Sequence, residues 1–181
     1  DFDQAISMDP KNYDRLIEIY EALAAHGYRE VGQEYLQNVL DTAKQLDAYD
    51  SGRIYYYLGE YQKAYLALDE ARDKGGADSY LYLGRAYAAT GDYNYASSVY
   101  NNYLSKQGPN AEIYNELGLC EMAKKEYQNA LVAFQAGKQI EGNSLMQTLC
   151  FNEIVAYEYL EDYQQAEVPV SYTHLTLPTI L

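Results

Sequence analysis

Gly59-Glu-Tyr-Gln-Lys-Ala64 is the first of four related six-residue blocks. The other three are Gly91-Asp-Tyr-Asn-Tyr-Ala96, Lys125-Glu-Tyr-Gln-Asn-Ala130 and Glu161-Asp-Tyr-Gln-Gln-Ala166. The first residues of successive blocks are 32, 34 and 36 positions apart. Self-similarity at such a period is typical of a solenoid, in which each unit is too small to bury its apolar face alone and stacks on its neighbours. Because such arrays usually present a groove, the repeat favours a binding function.

Each repeat has the pattern of two helices joined by a turn. In the unit that begins at Ala77, apolar and small residues recur at i, i+3, i+4 and i+7, the spacing of one buried helical stripe: Tyr80, Leu83, Gly84 and Tyr87. Gly91-Asp92 is a turn signal, a second stripe follows over residues 96–103, and Gly108-Pro109 then breaks the chain. The sequence therefore predicts a helical hairpin in each repeat.

Small residues inside these helices predict close helix contacts. Gly84 and Gly118 lie in helix interiors, where glycine costs about 1 kcal/mol relative to alanine. We expect each to admit a neighbouring helix where a side chain would not fit. The alanine that ends each six-residue block is expected to do the same in the second helix.

Composition restricts the kind of partner. The formal net charge of −14 argues against nucleic acid, whose phosphates would be repelled, and disfavours acidic protein surfaces, whereas basic or neutral ligands are compatible with it. Tyrosine is enriched, with 23 Tyr against 3 Phe and no Trp, which suits an array with little deep interior. No stretch approaches the roughly 20 apolar residues of a membrane-spanning helix.

Histidine and cysteine offer little for catalysis or metal binding. Cys120 and Cys150 form no ligand cluster, and we predict that both are small buried residues, with a disulfide between adjacent units as the alternative. His26 is the one histidine outside the C-terminal segment, and no phosphate-binding or dinucleotide fingerprint is present. We therefore predict no enzyme activity and no cofactor for this chain.

The pattern resembles the tetratricopeptide repeat. That family places a large apolar residue, Leu, Gly and Tyr in the first helix, then Gly-Asp-Tyr at the turn and Ala, an aromatic residue and Ala in the second helix. The resemblance covers residues 1–167 and implies an all-α fold, a right-handed α-solenoid of antiparallel helix hairpins. Lys125 and Glu161 depart from the pattern because they replace the turn glycine. The implied organisation is the end of a truncated repeat at 1–10, a divergent repeat at 13–44, repeats at 45–76, 77–110 and 111–146, and a truncated repeat at 147–167.

The C-terminal segment 168–181 has a different character. It resembles the translation of a transposase mosaic-end adapter used in preparing sequencing libraries, with which Val170 through Thr179 agree without a mismatch. We therefore expect an unstructured, non-native tail, and we expect the chain to be a fragment cut inside a repeat. A genuine β-strand of alternating Thr and Leu is the alternative.

In the resembled family the first helices line a concave groove, and this places a peptide-binding surface on the present chain. The predicted groove residues are Tyr49, Arg53, Tyr56, Tyr57, Leu81, Arg85, Asn115, Leu119, Met122 and Phe151. We expect the tyrosines and Met122 to supply contact area and the two arginines to anchor a carboxylate or a carbonyl. In the alternative, the tyrosines pack within the array and the arginines pair with Asp50 or Glu60.

These features predict a protein-interaction scaffold that binds a peptide or protein segment, with self-association possible through uncapped ends. The alternative is a repeat segment of a larger regulator, enzyme or membrane-anchored surface protein whose other domains lie outside this sequence. Both a cytoplasmic location and anchoring at the cell surface stay open.

Overall fold

The structure is a computed structural model that describes residues 12–43 and 46–160. Within these residues the regular elements are nine α-helices and no strand, which confirms the predicted all-α class. The helices are α1 (Tyr13–Ala25), α2 (Arg29–Thr42), α3 (Ala48–Leu58), α4 (Tyr61–Glu70), α5 (Ala77–Ala89), α6 (Tyr93–Gln107), α7 (Ala111–Ala123), α8 (Tyr127–Lys138) and α9 (Met146–Tyr159). The predictions for residues 1–10 and for the tail 168–181, and the fourth block at 161–166, lie outside the described residues.

The chain divides into two compact units on either side of the Thr90–Gly91 bond. In unit 1, α1 packs on α2 and α3 on α4, while α2 contacts α3, α4 contacts α5 and α3 also contacts α5. In unit 2, α7 packs against α6 and α8, α8 packs on α9, and α7 also touches α9. Within each unit, successive helices therefore pack in chain order as stacked hairpins, as expected of a repeat array.

Asparagine and aspartate side chains mark the starts of four helices. The side-chain oxygen of Asn110 accepts a hydrogen bond from the backbone N–H of Ile113 at 3.0 Å, and Asp47 accepts one from Asp50 at 2.9 Å. Asn12 and Asp92 cap α1 and α6 in the same way. Each cap satisfies one of the backbone N–H groups that a helix leaves without a partner in its first turn.

The first residue of each described six-residue block adopts the same left-handed backbone conformation. Gly59 and Gly91 have φ angles of 81° and 84°, and Lys125 has a φ of 64°. A positive φ ends the first helix and redirects the chain into the second, and glycine adopts it without steric penalty. Lys125 therefore occupies the glycine position of its turn, as the sequence alignment of the blocks predicts.

Helix interiors in both units contain a glycine where a neighbouring side chain approaches closely. A Cβ atom built on Gly118 would lie 2.3 Å from Cε1 of Phe134, and one on Gly52 would lie 2.5 Å from Cγ of Leu68. Ala64, Ala96 and Ala130 are completely buried. The predicted close contact at Gly118 and the burial of these three block alanines are therefore confirmed.

Each unit has its own apolar core. In unit 1, Leu16, Tyr20, Leu36 and Ile54 form a buried cluster that joins α1, α2 and α3. In unit 2, the buried cluster contains Ala130, Leu131, Phe134, Leu149, Ala156 and Tyr157, contributed by α8 and α9. These contacts come from different repeats, so no single hairpin holds a complete core.

Both cysteines are free and buried, as the sequence predicts, and the alternative of a disulfide between them is wrong. Burial raises the pKa of the Cys120 thiol to about 12, and the nearby carboxylates of Glu116 and Glu121 act in the same direction. The thiol is therefore protonated near neutral pH, a state that is a poor nucleophile.

Replacing Gly118 with alanine tests the close packing of α7 on α8. We expect Gly118→Ala to lower the free energy of unfolding by about 1–2 kcal/mol, because the overlap of the added methyl group with Phe134 costs more than the roughly 1 kcal/mol that alanine gains over glycine in a helix. Urea unfolding followed by circular dichroism measures the change. Gly137→Ala is the matched control and should change the free energy of unfolding by no more than about 1 kcal/mol, since its nearest contact would be 3.1 Å and alanine favours the helix. A Gly118→Ala protein as stable as the parent would contradict the overlap.

The left-handed turn at Lys125 gives a second test. A non-glycine residue in this conformation costs about 1–2 kcal/mol. Glycine removes this penalty, but it loses more conformational entropy on folding, which offsets part of the gain. We expect Lys125→Gly to raise the free energy of unfolding by up to about 1 kcal/mol. Ala123→Gly, two residues earlier in the helix, should lower it by about 1 kcal/mol. Loss of stability in both variants would show that Lys125 is not strained.

Candidate peptide-binding surface

The predicted groove residues lie on first helices of both units. Six are in unit 1, on α3 and α5, and four are in unit 2, on α7 and α9. The two sets differ in what surrounds them: many of the side chains in unit 1 contact each other, whereas those in unit 2 include exposed apolar groups.

Arg53 is buried, with 6% of its surface exposed, and both ends of its guanidinium group bind carboxylates of the same unit. Nη1 donates to Oδ1 of Asp14 and Nη2 donates to Oδ1 of Asp50, each at 2.5 Å. The guanidinium carbon lies 4.2 Å from the ring centroid of Tyr49, within the range of a cation–π contact. Arg53 therefore links α1 to α3, and the alternative in which it pairs with Asp50 describes this site.

Burial favours the neutral form of each ionisable group at this site, so it acts to lower the pKa of the arginine and to raise the pKa of the carboxyl and tyrosine groups. Burial alone would lower the pKa of the Arg53 guanidinium, but the hydrogen bonds to Asp14 and Asp50 outweigh it and the pKa is raised. Burial raises the pKa of the Asp50 carboxyl, which the hydrogen bond from Arg53 opposes. Burial also raises the pKa of Tyr49 to about 12. Near neutral pH, Arg53 is therefore a fixed cation beside a neutral tyrosine.

A cluster of tyrosines, formed by Tyr20, Tyr56, Tyr57 and Tyr82, joins α1, α3 and α5. The ring centroids of Tyr57 and Tyr20 are 4.9 Å apart, and those of Tyr56 and Tyr82 are 5.5 Å apart. The Tyr57 hydroxyl donates to the carboxylate of Glu21 and lies 2.9 Å from the Tyr82 hydroxyl. Burial, followed by the hydrogen bond to Glu21, raises the pKa of Tyr57. These rings pack within unit 1 in the way the alternative interpretation describes.

The other two predicted residues of unit 1 are less accessible than a groove requires. Leu81 belongs to the core, with 3% of its surface exposed, and the next residue, Tyr82, reaches the tyrosine cluster instead. Arg85 is half-buried and interacts within the chain; its charge opposes the effect of burial on the pKa of Tyr82. On α5, Leu81 therefore does not contribute to an accessible face, whereas Arg85 is partly exposed.

In unit 2, two amides connect the first helices. Asn115 on α7 is buried, and its side-chain oxygen accepts a hydrogen bond from Nδ2 of Asn152 on α9 at 2.8 Å. The sequence predicts Asn115 on this face but does not identify Asn152 as its partner, because the two residues belong to different repeats. The bond fixes α7 and α9 side by side.

Exposed apolar side chains flank this amide pair. Leu119 is 42% exposed and Phe151 is 64% exposed, while Met122 is half-buried and packs against the unit 2 core. Val155 is half-buried, and Tyr159 is exposed and stacks on Tyr127 with ring centroids 5.2 Å apart. We refer to Asn115, Leu119, Met122, Phe151, Asn152, Val155 and Tyr159 as the α7–α9 face. Large apolar side chains that form an exposed patch are a feature of binding surfaces.

Two further features limit the chemistry of the described residues. In 12–43 and 46–160, no group of three or more His, Cys, Asp and Glu side chains is arranged to hold a metal ion. Among the same residues, none of the helices combines the length and apolarity needed to cross a bilayer.

Removal of the Arg53 side chain tests its structural role. We expect Arg53→Ala to lower the free energy of unfolding by about 1.5–3 kcal/mol, because it leaves Asp50 without a charged hydrogen-bond donor in a partly buried site. Thermal and urea unfolding provide the measurement. Arg29→Ala is the matched control, since Arg29 is exposed and should change stability by no more than about 0.5 kcal/mol. If the two variants were equally stable, the structural role of Arg53 would be contradicted, and Arg53 would again be a candidate for binding a ligand.

Comparison with known proteins identifies the fold. No protein-family model and no curated protein sequence matches this chain. Three similar solved structures are MamA (residues 41 to the end) from Desulfovibrio magneticus RS-1, a tetratricopeptide repeat protein from Parabacteroides merdae, and YrrB. Their TM-scores are 0.62, 0.66 and 0.57, and their sequence identities are 17%, 14% and 18%. The alignments cover 90%, 98% and 94% of this chain and 93%, 72% and 89% of the respective structures. The chain has the fold of tetratricopeptide-repeat proteins.

Proposed function

We propose that this chain is a non-catalytic protein-interaction scaffold that binds a peptide or protein segment through its first helices, with the main contacts on the α7–α9 face. The observation that carries the proposal is the exposure of Leu119 and Phe151 beside the Asn115–Asn152 pair. Exposure of large apolar side chains to water is unfavourable, and a partner's apolar residue that covers them would lower the free energy.

The polar groups of this face would orient such a partner. The Asn115–Asn152 hydrogen bond already joins α7 to α9, so little ordering would be needed when a ligand binds. Tyr159, stacked on Tyr127, supplies a further rigid aromatic surface. A single segment that inserts one or two apolar anchors would suffice for specific binding.

The charge of the chain favours a particular class of partner. The net charge is −14, and residues 147–168, which include α9, carry five acidic residues and no basic residue. Electrostatic attraction would therefore favour segments that combine an apolar anchor with lysine or arginine. YrrB, which shares the fold, is described as having an unusual peptide-binding site, so peptide binding occurs on this architecture.

In unit 1 the corresponding face is a weaker candidate for the main contact. Arg53 is bound by Asp14 and Asp50 and lies over the ring of Tyr49. The hydroxyl of Tyr57 donates to Glu21. A ligand that used these groups would have to replace hydrogen bonds that the unit already forms, and the net gain would be small.

Selection of peptides from a random phage-displayed library on the immobilised full chain tests the proposal. We expect enriched sequences with an aromatic or aliphatic anchor and a net positive charge. Isothermal titration with the synthetic peptides should give a Kd at least about tenfold higher for Leu119→Ala/Phe151→Ala than for the parent chain.

The matched control is Leu66→Ala, which removes an apolar side chain that is 68% exposed on the second helix α4. It should leave the Kd unchanged. Peptides that bind the double variant as tightly as the parent would rule out the α7–α9 face as the main site, whatever their sequence.

A further inference from the structure

Unit 2 contains a cleft that none of the predicted groove residues lines. It has a volume of about 640 Å³ and lies between α6 and α8, with α7 and the following residue, Lys124, contributing the rest of its lining. We refer to it as the α6–α8 cleft. The residues of α7 that line it, among them Leu117 and Glu121, differ from those of the α7–α9 face. Its volume is in the range of about 300–1,000 Å³ typical of ligand-binding pockets.

Uncharged amide groups line both sides of this cleft. Asn94 and Asn101 lie on α6 and Asn129 lies on α8, and all three are exposed. Within residues 12–43 and 46–160, none of their side chains forms a hydrogen bond or other polar contact. A carboxamide offers both an N–H donor and a carbonyl acceptor, which is the same pair that a peptide group presents. These side chains are thus suited to bind a backbone.

The charges in the cleft cancel each other. Glu121 is 7% exposed, and its Oε1 accepts a hydrogen bond from the Ser97 hydroxyl at 2.8 Å and lies 2.7 Å from Nζ of Lys124. Glu121 and Lys124 are the charged residues among the described lining. The second carboxylate oxygen, Oε2, has no partner within the described part of the chain, so it can accept an N–H from a ligand. In a chain with a net charge of −14, this cleft is locally neutral.

The spacing of these groups matches an extended chain. Asn94 and Asn101 are two helical turns apart, which corresponds to about 10.5 Å at a rise of 1.5 Å per residue. An extended peptide advances about 3.3 Å per residue, so about three residues span that distance. On α8, Val132 is 60% exposed and forms an apolar part of the lining that a small side chain could cover.

We propose that the α6–α8 cleft is a second binding site, which takes a short uncharged peptide segment in an extended conformation. The backbone of the bound peptide forms hydrogen bonds with Asn94, Asn101 and Asn129, and one of its N–H groups donates to the carboxylate of Glu121. This site is independent of the α7–α9 face and selects a different class of segment, because it lacks the acidic surroundings that favour a basic ligand.

Selecting peptides on a variant that lacks the exposed apolar groups of the α7–α9 face isolates binding to the α6–α8 cleft. The full-length chain carrying Leu119→Ala/Phe151→Ala is immobilised, and a random seven-residue phage library is selected on it. Enriched sequences are synthesised with acetylated and amidated ends and titrated calorimetrically. We expect sequences without net charge whose Kd rises at least about tenfold when Asn94→Ala/Asn101→Ala or Val132→Arg is added.

Matched controls separate recognition from folding. Asn38→Ala removes an exposed asparagine of α2 and should leave the Kd unchanged, and circular dichroism melting should show that every variant is folded. Peptides with N-methylated backbone amides should bind at least about tenfold more weakly than their parents. The proposal is overturned if no enriched peptide binds more weakly to the cleft variants, or if the N-methylated peptides bind as tightly as their parents. It is also overturned if uncharged oligosaccharides, and no peptides, bind to the chain and Val132→Arg abolishes that binding.

Discussion

The close approach of the two helices within a hairpin is the constraint on which the rest of this structure depends. At Gly118 the ring of Phe134 occupies the place where any other residue would put its Cβ, and Leu68 does the same at Gly52. Glycine is unfavourable inside a helix by about 1 kcal/mol, so its presence there reflects packing and not helix propensity. The contact sets the distance between the paired helices, and the stacking of one hairpin on the next, which completes each core, depends on that distance.

The turn between the helices imposes a second constraint, on backbone direction. Gly59, Gly91 and Lys125 all have positive φ angles, although only two of them are glycine. A lysine in this conformation shows that the hairpin geometry outweighs a local steric penalty. Packing along both helices therefore determines the turn, and the residue at the turn adapts to it.

The sequence predicts the local features of this fold well. The six-residue blocks identify the turns, and the apolar spacing identifies the helices, because both depend on residues close together in the chain. It offers Asp50 as a partner of Arg53 but not Asp14, which lies 39 positions away in another repeat. It also assigns Leu81 to the groove although this residue is buried in the core, because one residue rotates a helical position by about 100° and sequence spacing does not determine the orientation of a helix that closely. Likewise, the Asn115–Asn152 pair and the α6–α8 cleft arise from contacts between repeats.

The two units use the same face of their first helices for different purposes. In unit 1, a carboxylate–arginine site and four tyrosines connect α1, α3 and α5, so the side chains that could bind a ligand instead hold the helices together. In unit 2, one amide pair joins α7 to α9, and Leu119 and Phe151 stay exposed. A ligand gains most where it covers apolar surface without displacing internal hydrogen bonds. Repeats that share one backbone plan can therefore divide structural and binding roles, and the division follows from which side chains already have partners.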